Sequence, residues 1–291
     1  MGILEGRVVV VTGAGRGLGR EYARLAAAEG AQVVVDDVGC GPDGAGADPS
    51  LAEAVAGEIN GAGGTAIARA DDVRTMAGAE ALLAATLEAF GTVDGLVANA
   101  GILRDRMFVN MSEDEWDDVV AGQLRATFCA DKAFAGHWRD RSKAGEQPSA
   151  AIVNVSSTSG LIGAPGQSNY GAAKAGIASL SVILAQELSR YGIRVNALVP
   201  VARTRMTEDV PGVKEMVAKP DDPEAFDVYH PANVAPMVAY LLSDRCPMTG
   251  RTFYAKGGEV REVLNWQYGR TLERDQRWDP AELAEAMSAL E

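Results

Sequence analysis

A chain of 291 residues is long enough for one large α/β domain with a sizeable core, and no shift in composition along it calls for a second. Its 27 lysines and arginines stand against 40 acids, a net charge of −13 without a basic stripe, which argues against nucleic-acid binding. No run approaches the roughly 20 apolar residues of a membrane span, and two histidines with three scattered cysteines leave no expected metal site.

Arg7 to Thr12, RVVVVT, is a β-branched run of the kind found in a strand buried on both faces. Such an early first strand leaves MGILEG too short for a signal peptide, and unpaired thiols then suit the cytoplasm. The run breaks into GAGRGLG and a helix, REYARLAAAEG, ended by Gly30; AQVVVDD is the second strand. Strand, glycine turn, helix, strand is a mononucleotide-binding unit. Leu18 falls where the last glycine of G-x-G-x-x-G would stand, so the glycines fit T-G-x-x-x-G-x-G instead. The physical task is the same: a tight turn, close backbone approach to pyrophosphate, and helix-terminal amides facing it. Gly13, Arg16, Gly17, Leu18 and Gly19 are therefore expected against a dinucleotide.

Asp36 and Asp37 end the second strand. A carboxylate there accepts from the adenosine ribose hydroxyls and repels a 2′-phosphate, which favours NAD over NADP, with Asp37 the expected ligand; Arg16 argues the other way, since it can meet that phosphate. Gly39 to Ser50 is a glycine-rich loop. The helices LAEAVAGEING and MAGAEALLAATLEAF flank the strand TAIARA, after which Asp72 and Val73 are placed to meet adenine. VDGLVANAG is the fourth strand and delivers Asn99, Ala100 and Gly101 to the sheet edge where ligands of such sheets bind. A helix capped by Ser112, with Glu115 three residues on, runs to about His137. AIVNVS and IRVNALVP supply strands five and six. Thr207 to Pro231 is proline-punctuated and expected to be a mobile segment over the substrate. NVAPMVAYLLS is a helix and RTFYAK a last strand. Residues 1–258 then form one catalytic domain, and 259–291 a tail whose helix, capped by Asp279 with Pro280 first, packs on the domain or on a neighbouring subunit.

The chemistry concentrates in SNYGAAKAG, Ser168 to Gly176, the start of a helix running to about Arg190. Tyr170 and Lys174, four apart, share one helix face. An ammonium beside a phenol favours phenolate and lowers its pKa from about 10 toward working pH. Ser157 ends the fifth strand upstream. Each of these residues alone is more often packing or surface, but behind a phosphate loop the three read as a proton-transfer site.

Together, the T12-to-G19 turn, N99-A-G, Ser157, Tyr170 and Lys174 resemble the short-chain dehydrogenase/reductase family over residues 5–258. The resemblance implies a doubly wound Rossmann sheet of seven parallel strands, order 3-2-1-4-5-6-7, with helices on both faces. It implies Tyr170 as general acid/base, Lys174 holding the nicotinamide ribose, Ser157 binding the substrate oxygen, and Pro200 and Thr204 beside the cofactor. Two positions depart from the family pattern. Gln123 stands where an asparagine usually feeds a proton relay, and Pro200 precedes Val201 rather than glycine.

GILRDRMF, GQLRATF and ARTRMT are similar to the (3R)-hydroxyacyl-CoA dehydrogenase unit of peroxisomal multifunctional β-oxidation enzymes, which shares both departures. That implies an NAD-dependent enzyme acting on a 3-hydroxyacyl-CoA, bulky or steroid-like acyl groups included. It also implies a homodimer or homotetramer paired through the helices after strands four and five. A 3-oxoacyl-carrier-protein reductase, a steroid or sugar alcohol dehydrogenase, and a non-catalytic NAD-binding protein supported only by Gln123 are the alternatives.

Overall fold

The computed structural model describes residues 2–41, 44–204, 213–222 and 224–288. Strands β1 (Val8–Thr12), β2 (Gln32–Asp36), β3 (Thr65–Arg69), β4 (Gly95–Ala98), β5 (Ala150–Val155), β6 (Ile193–Pro200) and β7 (Thr252–Lys256) pair in parallel, in the expected order 3-2-1-4-5-6-7. Registers such as Val10↔Val34 and Val10↔Leu96 place β1 at the centre.

The unbroken valine run of β1 follows from what lies on either side. Val9 and Val11 belong to one core cluster with Tyr22, Leu198 and Leu241, whereas Val10 belongs to the other with Phe134, Trp138 and Ile152. A strand packed on both faces has no polar face to show. Helices α1 (Gly17–Ala28) and α2 (Ser50–Gly61) cover the first face. Helices α3 (Met76–Phe90), α4 (Glu113–Val120), α5 (Ala126–Lys143), the short α6 (Thr158–Ile162) and α7 (Ser168–Leu188) follow in the chain, with α3 and α5 on the second face. The short α8 (Val213–Met216) comes next, then α9 (Ala235–Leu242), whose Met237, Val238 and Leu241 join the first cluster.

Three expectations are corrected. An eighth strand, β8 (Glu259–Val263), pairs antiparallel with β7 through the Gly257-Gly258 turn, so the sheet extends five residues past Gly258 into the stretch expected to be tail. A diglycine between two runs is a hairpin signal, but β8 is an edge strand with no buried residue, so no apolar pattern marks it. The helix begun at Ser112, with its capping box formed, is broken by a π-helical turn, Ala121–Arg125, and continues to Lys143 rather than His137. The segment expected to be mobile lies partly at residues 207–212 and 223, outside the described residues. Its described remainder is tied down, because buried Arg203 donates to the Val217 carbonyl at 2.8 Å and pairs with Asp227.

In the tail, α10 (Pro280–Ser288) is capped by Asp279, whose side chain accepts from the Ala281 amide at 2.9 Å, and none of its described residues is buried. Among the described residues no helix is long and apolar enough to cross a membrane.

Candidate active site

The carboxyl ends of the parallel strands open into a cleft of about 630 Å³ that reaches from the glycine turn to Tyr170. Gly13 leaves β1 at φ +64°, and a Cβ there would lie 2.7 Å from the Ala100 Cα, so only glycine lets the two chain segments meet. A Cβ on Gly19 would run into the Gly13 carbonyl, which is why the spacing ends in glycine there. The turn is braced from β4. Thr12 Oγ1 accepts from the amides of Asn99 and Ala100 at 3.1 Å each, and Asn99 Nδ2 donates to the carbonyls of Thr12 and Gly13 at 3.0 Å each. Asn99, expected against the cofactor, lines the cleft but spends its side-chain donor on holding the turn.

The two acids after β2 separate cleanly. Asp36 is buried, accepts from the Asp71 amide at 2.9 Å, and is pushed up to about 8 by burial, so at neutral pH it is largely a neutral carboxyl. Asp37 lines the cleft, its two oxygens held by the amides of Gly15 (2.8 Å) and Gly39 (2.7 Å). Arg16 reaches across the rim to the Cys40 carbonyl at 2.8 Å, so Asp37 and Arg16, which argue for opposite nucleotides, are both anchored by backbone. Asp72 is gripped at 2.8 Å by two nitrogens of Arg74, and the guanidinium holds its carboxyl below the usual range; Val73 beside it is buried. Gly17, Leu18, Ala100, Gly101, Pro200 and Thr204 also line the cleft.

At the other end, β5 delivers Ser157 as the N-cap of α6, its Oγ accepting from the Ser159 amide at 3.2 Å. Tyr170, in the first turn of α7, lines the cleft with Ser157, whose hydroxyl favours the ionised phenol. Lys174 lies one turn on, buried, its Nζ donating to the Val155 carbonyl at 2.6 Å and standing 5.6 Å from the centre of the Tyr170 ring. Ser156 Oγ donates to the Lys174 carbonyl at 2.8 Å, which locks α7 to the end of β5. Asn169, which the sequence did not single out, is buried and donates to the carbonyls of Arg104 and Glu115. It pins the start of α7 to the loop after β4, and its only sequence signal was an amide directly before the tyrosine. Arg104 and Arg106 of that loop are not merely solvated, since they pair with Asp118 and Glu115 of α4 at 2.6 and 2.8 Å.

Gln123 sits in the π-helical turn, a rare geometry that collects at functional sites. It is buried at the cleft, its Nε2 donating to the Ile102 carbonyl at 2.8 Å, its Oε1 without a hydrogen-bond partner among the described residues. Gly101 makes room for it, because a Cβ there would overlap the glutamine amide.

The expected lowering of the phenol by the ammonium is not what this environment produces. Burial pushes Tyr170 up to about 12, with Asp105 adding to the rise and the Ser157 hydroxyl opposing it. Burial pulls Lys174 down to about 7. Desolvation penalises both charged forms, and a lysine near 7 carries only part of a charge at neutral pH, so its pull on the phenol is weak. What the protein assembles is a phenol, a hydroxyl and an amine around one point, able to hold an oxygen and exchange its proton, beside a turn shaped for pyrophosphate. Among the described residues no group of three or more histidine, cysteine or acidic side chains is placed to hold a metal.

The family pattern of short chain dehydrogenases matches residues 7–212. The hydroxyacyl-CoA dehydrogenase ChsB1 of Mycobacterium tuberculosis is 41% identical over 285 residues, 96% of this chain and 87% of that one. The peroxisomal multifunctional enzyme type 2 of Mus musculus is 39% identical over 268 residues, 92% of this chain but 34% of that longer protein. The 3-oxoacyl-[acyl-carrier-protein] reductase FabG of Staphylococcus aureus is 37% identical over 253 residues, 86% of this chain and 96% of that one. A solved short chain dehydrogenase from Mycobacterium avium superposes with a TM-score of 0.87 at 43% identity, covering 99% of this chain and 95% of that one. By sequence pattern and fold alike, the chain belongs to the short-chain dehydrogenase/reductase family of oxidoreductases.

Proposed function

We propose that the protein oxidises the hydroxyl of a 3-hydroxyacyl-CoA with NAD, Tyr170 acting as the general base. The observation that carries this is the convergence of Tyr170, Ser157 and Lys174 at one end of a single cleft whose other end is the braced glycine turn with Asp37. The residues at the nucleotide end suit NAD: Gly13 and Gly19 admit backbone close to a pyrophosphate, and Asp37 presents a carboxylate already fixed by two amides. When bound, NAD supplies the hydride acceptor.

The chain's own residues do the rest. Ser157 holds the substrate oxygen, Tyr170 takes its proton, and Lys174, in its ammonium form, uses one donor on Val155 and keeps two for the ribose hydroxyls. The unpartnered Oε1 of Gln123 accepts from a water, continuing the proton path out of the site. Catalysis is then positioning plus charge stabilisation at the oxygen. The CoA thioester is favoured because ChsB1, the relative named for a hydroxyacyl-CoA, matches across nearly the whole chain. A dimer or tetramer suits the outward apolar residues Phe128 on α5 and Ile183 on α7, and a cytoplasmic setting suits three free cysteines.

Purified protein given NAD and a panel of (3R)-hydroxyacyl-CoAs is expected to form NADH, and no signal across the panel overturns the substrate assignment. The second reading, a 3-oxoacyl-carrier-protein reductase using NADPH, has Arg16 at the rim and the reductase relative in its favour. It predicts faster turnover with NADPH than with NADH, which the fixed Asp37 carboxylate opposes.

A further inference from the structure

Gln167 occupies the N-cap position of α7, where a side chain ordinarily accepts from an amide of the first helical turn. It makes no such bond. Its amide reaches across the cleft wall instead, Nε2 donating to Asp105 Oδ2 at 2.7 Å and Oε1 accepting from the Ser159 hydroxyl at 2.6 Å. A carboxylate only accepts, so the amide nitrogen must face Asp105 and its oxygen must face Ser159, which makes the serine hydroxyl a donor. The Ser159 amide then donates to Ser157 Oγ at 3.2 Å. With that lone pair engaged, Ser157 has one proton and one further lone pair to divide between Tyr170 and a substrate oxygen.

The two segments are also joined by backbone. The Arg106 amide donates to the Gly166 carbonyl at 2.8 Å, and residues 106 and 167 form a parallel bridge. Asp105 is thereby fixed beside the reacting groups, and Asp105, Ser159 and Gln167 all line the cleft with Ser157 and Tyr170.

We propose that Gln167 is a positioning residue: with Asp105 and Ser159 it forms a directed hydrogen-bond chain that sets the orientation of the Ser157 hydroxyl and holds a fixed negative charge near Tyr170. The proposal rests on the dehydrogenase reading of the cleft and adds three residues to it. The charged and titratable groups facing Tyr170 are Lys174 from its own helix and Asp105 from the loop after β4. The arginines flanking Asp105 are turned to Asp118 and Glu115 of α4, so its hydrogen-bond partner is the neutral amide of Gln167.

The chain predicts shifts of opposite sign. Removing the charge with Asp105→Asn takes away an influence that raises the phenol, so Tyr170 titrates at lower pH. Gln167→Ala releases Ser157, weakens the hydroxyl influence that lowers the phenol, and moves Tyr170 to higher pH. The measurement is a carbon NMR titration of protein labelled in its tyrosine rings, with Tyr170 assigned by its loss in Tyr170→Phe.

In parallel, oxidation of (3R)-hydroxybutyryl-CoA by NAD is expected to lose about ten- to hundredfold in kcat in Gln167→Ala, with the KM for NAD little changed. The alkaline rise of the rate in Asp105→Asn should move to lower pH. A brace that only steadies the loop would lower the melting temperature of both variants and leave the Tyr170 midpoint alone; that result overturns the proposal. Should the wild type oxidise no hydroxyacyl-CoA, the substrate assignment falls, and the substrate-free titration still decides the chain.

Discussion

Gly160 offers a direct test of how finely the site is placed. It lies in α6 against α7, and a Cβ built there would be 2.6 Å from the Ala175 nitrogen and the Lys174 carbonyl carbon, and 2.8 Å from the Lys174 Cβ. The obstacle is mostly backbone, so no rotamer relieves it. Ordinary contact needs about 3.5 Å, so Gly160→Ala must push α6 and α7 apart by roughly 1 Å at the residue carrying the amine. Overpacking of that kind costs about 1–3 kcal/mol of stability, and a 1 Å misplacement at a reacting group costs about a hundredfold in rate.

The glycine turn is at the far end of the cleft, so NAD affinity should fall only through the ribose contacts of Lys174, and by less than kcat. Gly57→Ala is the matched control, because it is interior to α2 with nothing within 4 Å of the added methyl. It should stabilise by about 0.5–1 kcal/mol through helix propensity. Urea unfolding of both variants gives the stabilities, calorimetric titration gives NAD affinity, and NADH formation gives kcat. Wild-type kcat and stability in Gly160→Ala would refute the reasoning, since the packing of α6 on Lys174 would then be too loose to place anything.

Two further outcomes follow from the same geometry. Tyr170→Phe should abolish turnover and leave NAD binding nearly intact in a calorimetric titration, because the hydroxyl stands at the Ser157 end of the cleft and the nucleotide end is built from other residues; parallel loss of both would mean the tyrosine is misassigned. Asp36, raised to about 8 when folded against an ordinary value near 3.8, binds its proton more tightly in the folded state. Its contribution is therefore fully present below about pH 4 and is lost as pH rises through 8. Asp36→Asn keeps an oxygen for the Asp71 amide and cannot ionise, so its stability relative to wild type should climb across that window by on the order of a few kcal/mol in urea unfolding. A flat difference from pH 4 to 8 would show that Asp36 is already charged and paired.

How much of this was legible in the sequence depends on whether a feature is set locally or by partners brought in from afar. The valines of β1 announce their strand because burial on both faces demands an unbroken apolar run. The glycine turn announces itself because Gly13 needs a left-handed φ and no other residue tolerates the approach of Ala100. Tyr170 and Lys174 share a helix face by spacing alone. None of these needs knowledge of the rest of the chain.

The features that escaped are long-range. Gln167 meets Asp105 across 62 positions, and nothing in GAPGQSNYG says which loop its amide will face. A π-helical turn carries the same residue types as an α-helical one, so the placement of Gln123 beside Gly101 emerges only when Gly101 and Gly122 are packed against their neighbours. The error over the phenol has the same origin. Spacing predicted proximity, and proximity was observed, but the sign of the perturbation belongs to desolvation, which depends on everything around the pair. A motif therefore fixes which groups meet. The packing around Tyr170 and Lys174 fixes what charge they carry, and only groups that stabilise those charges can bring the phenol back toward working pH.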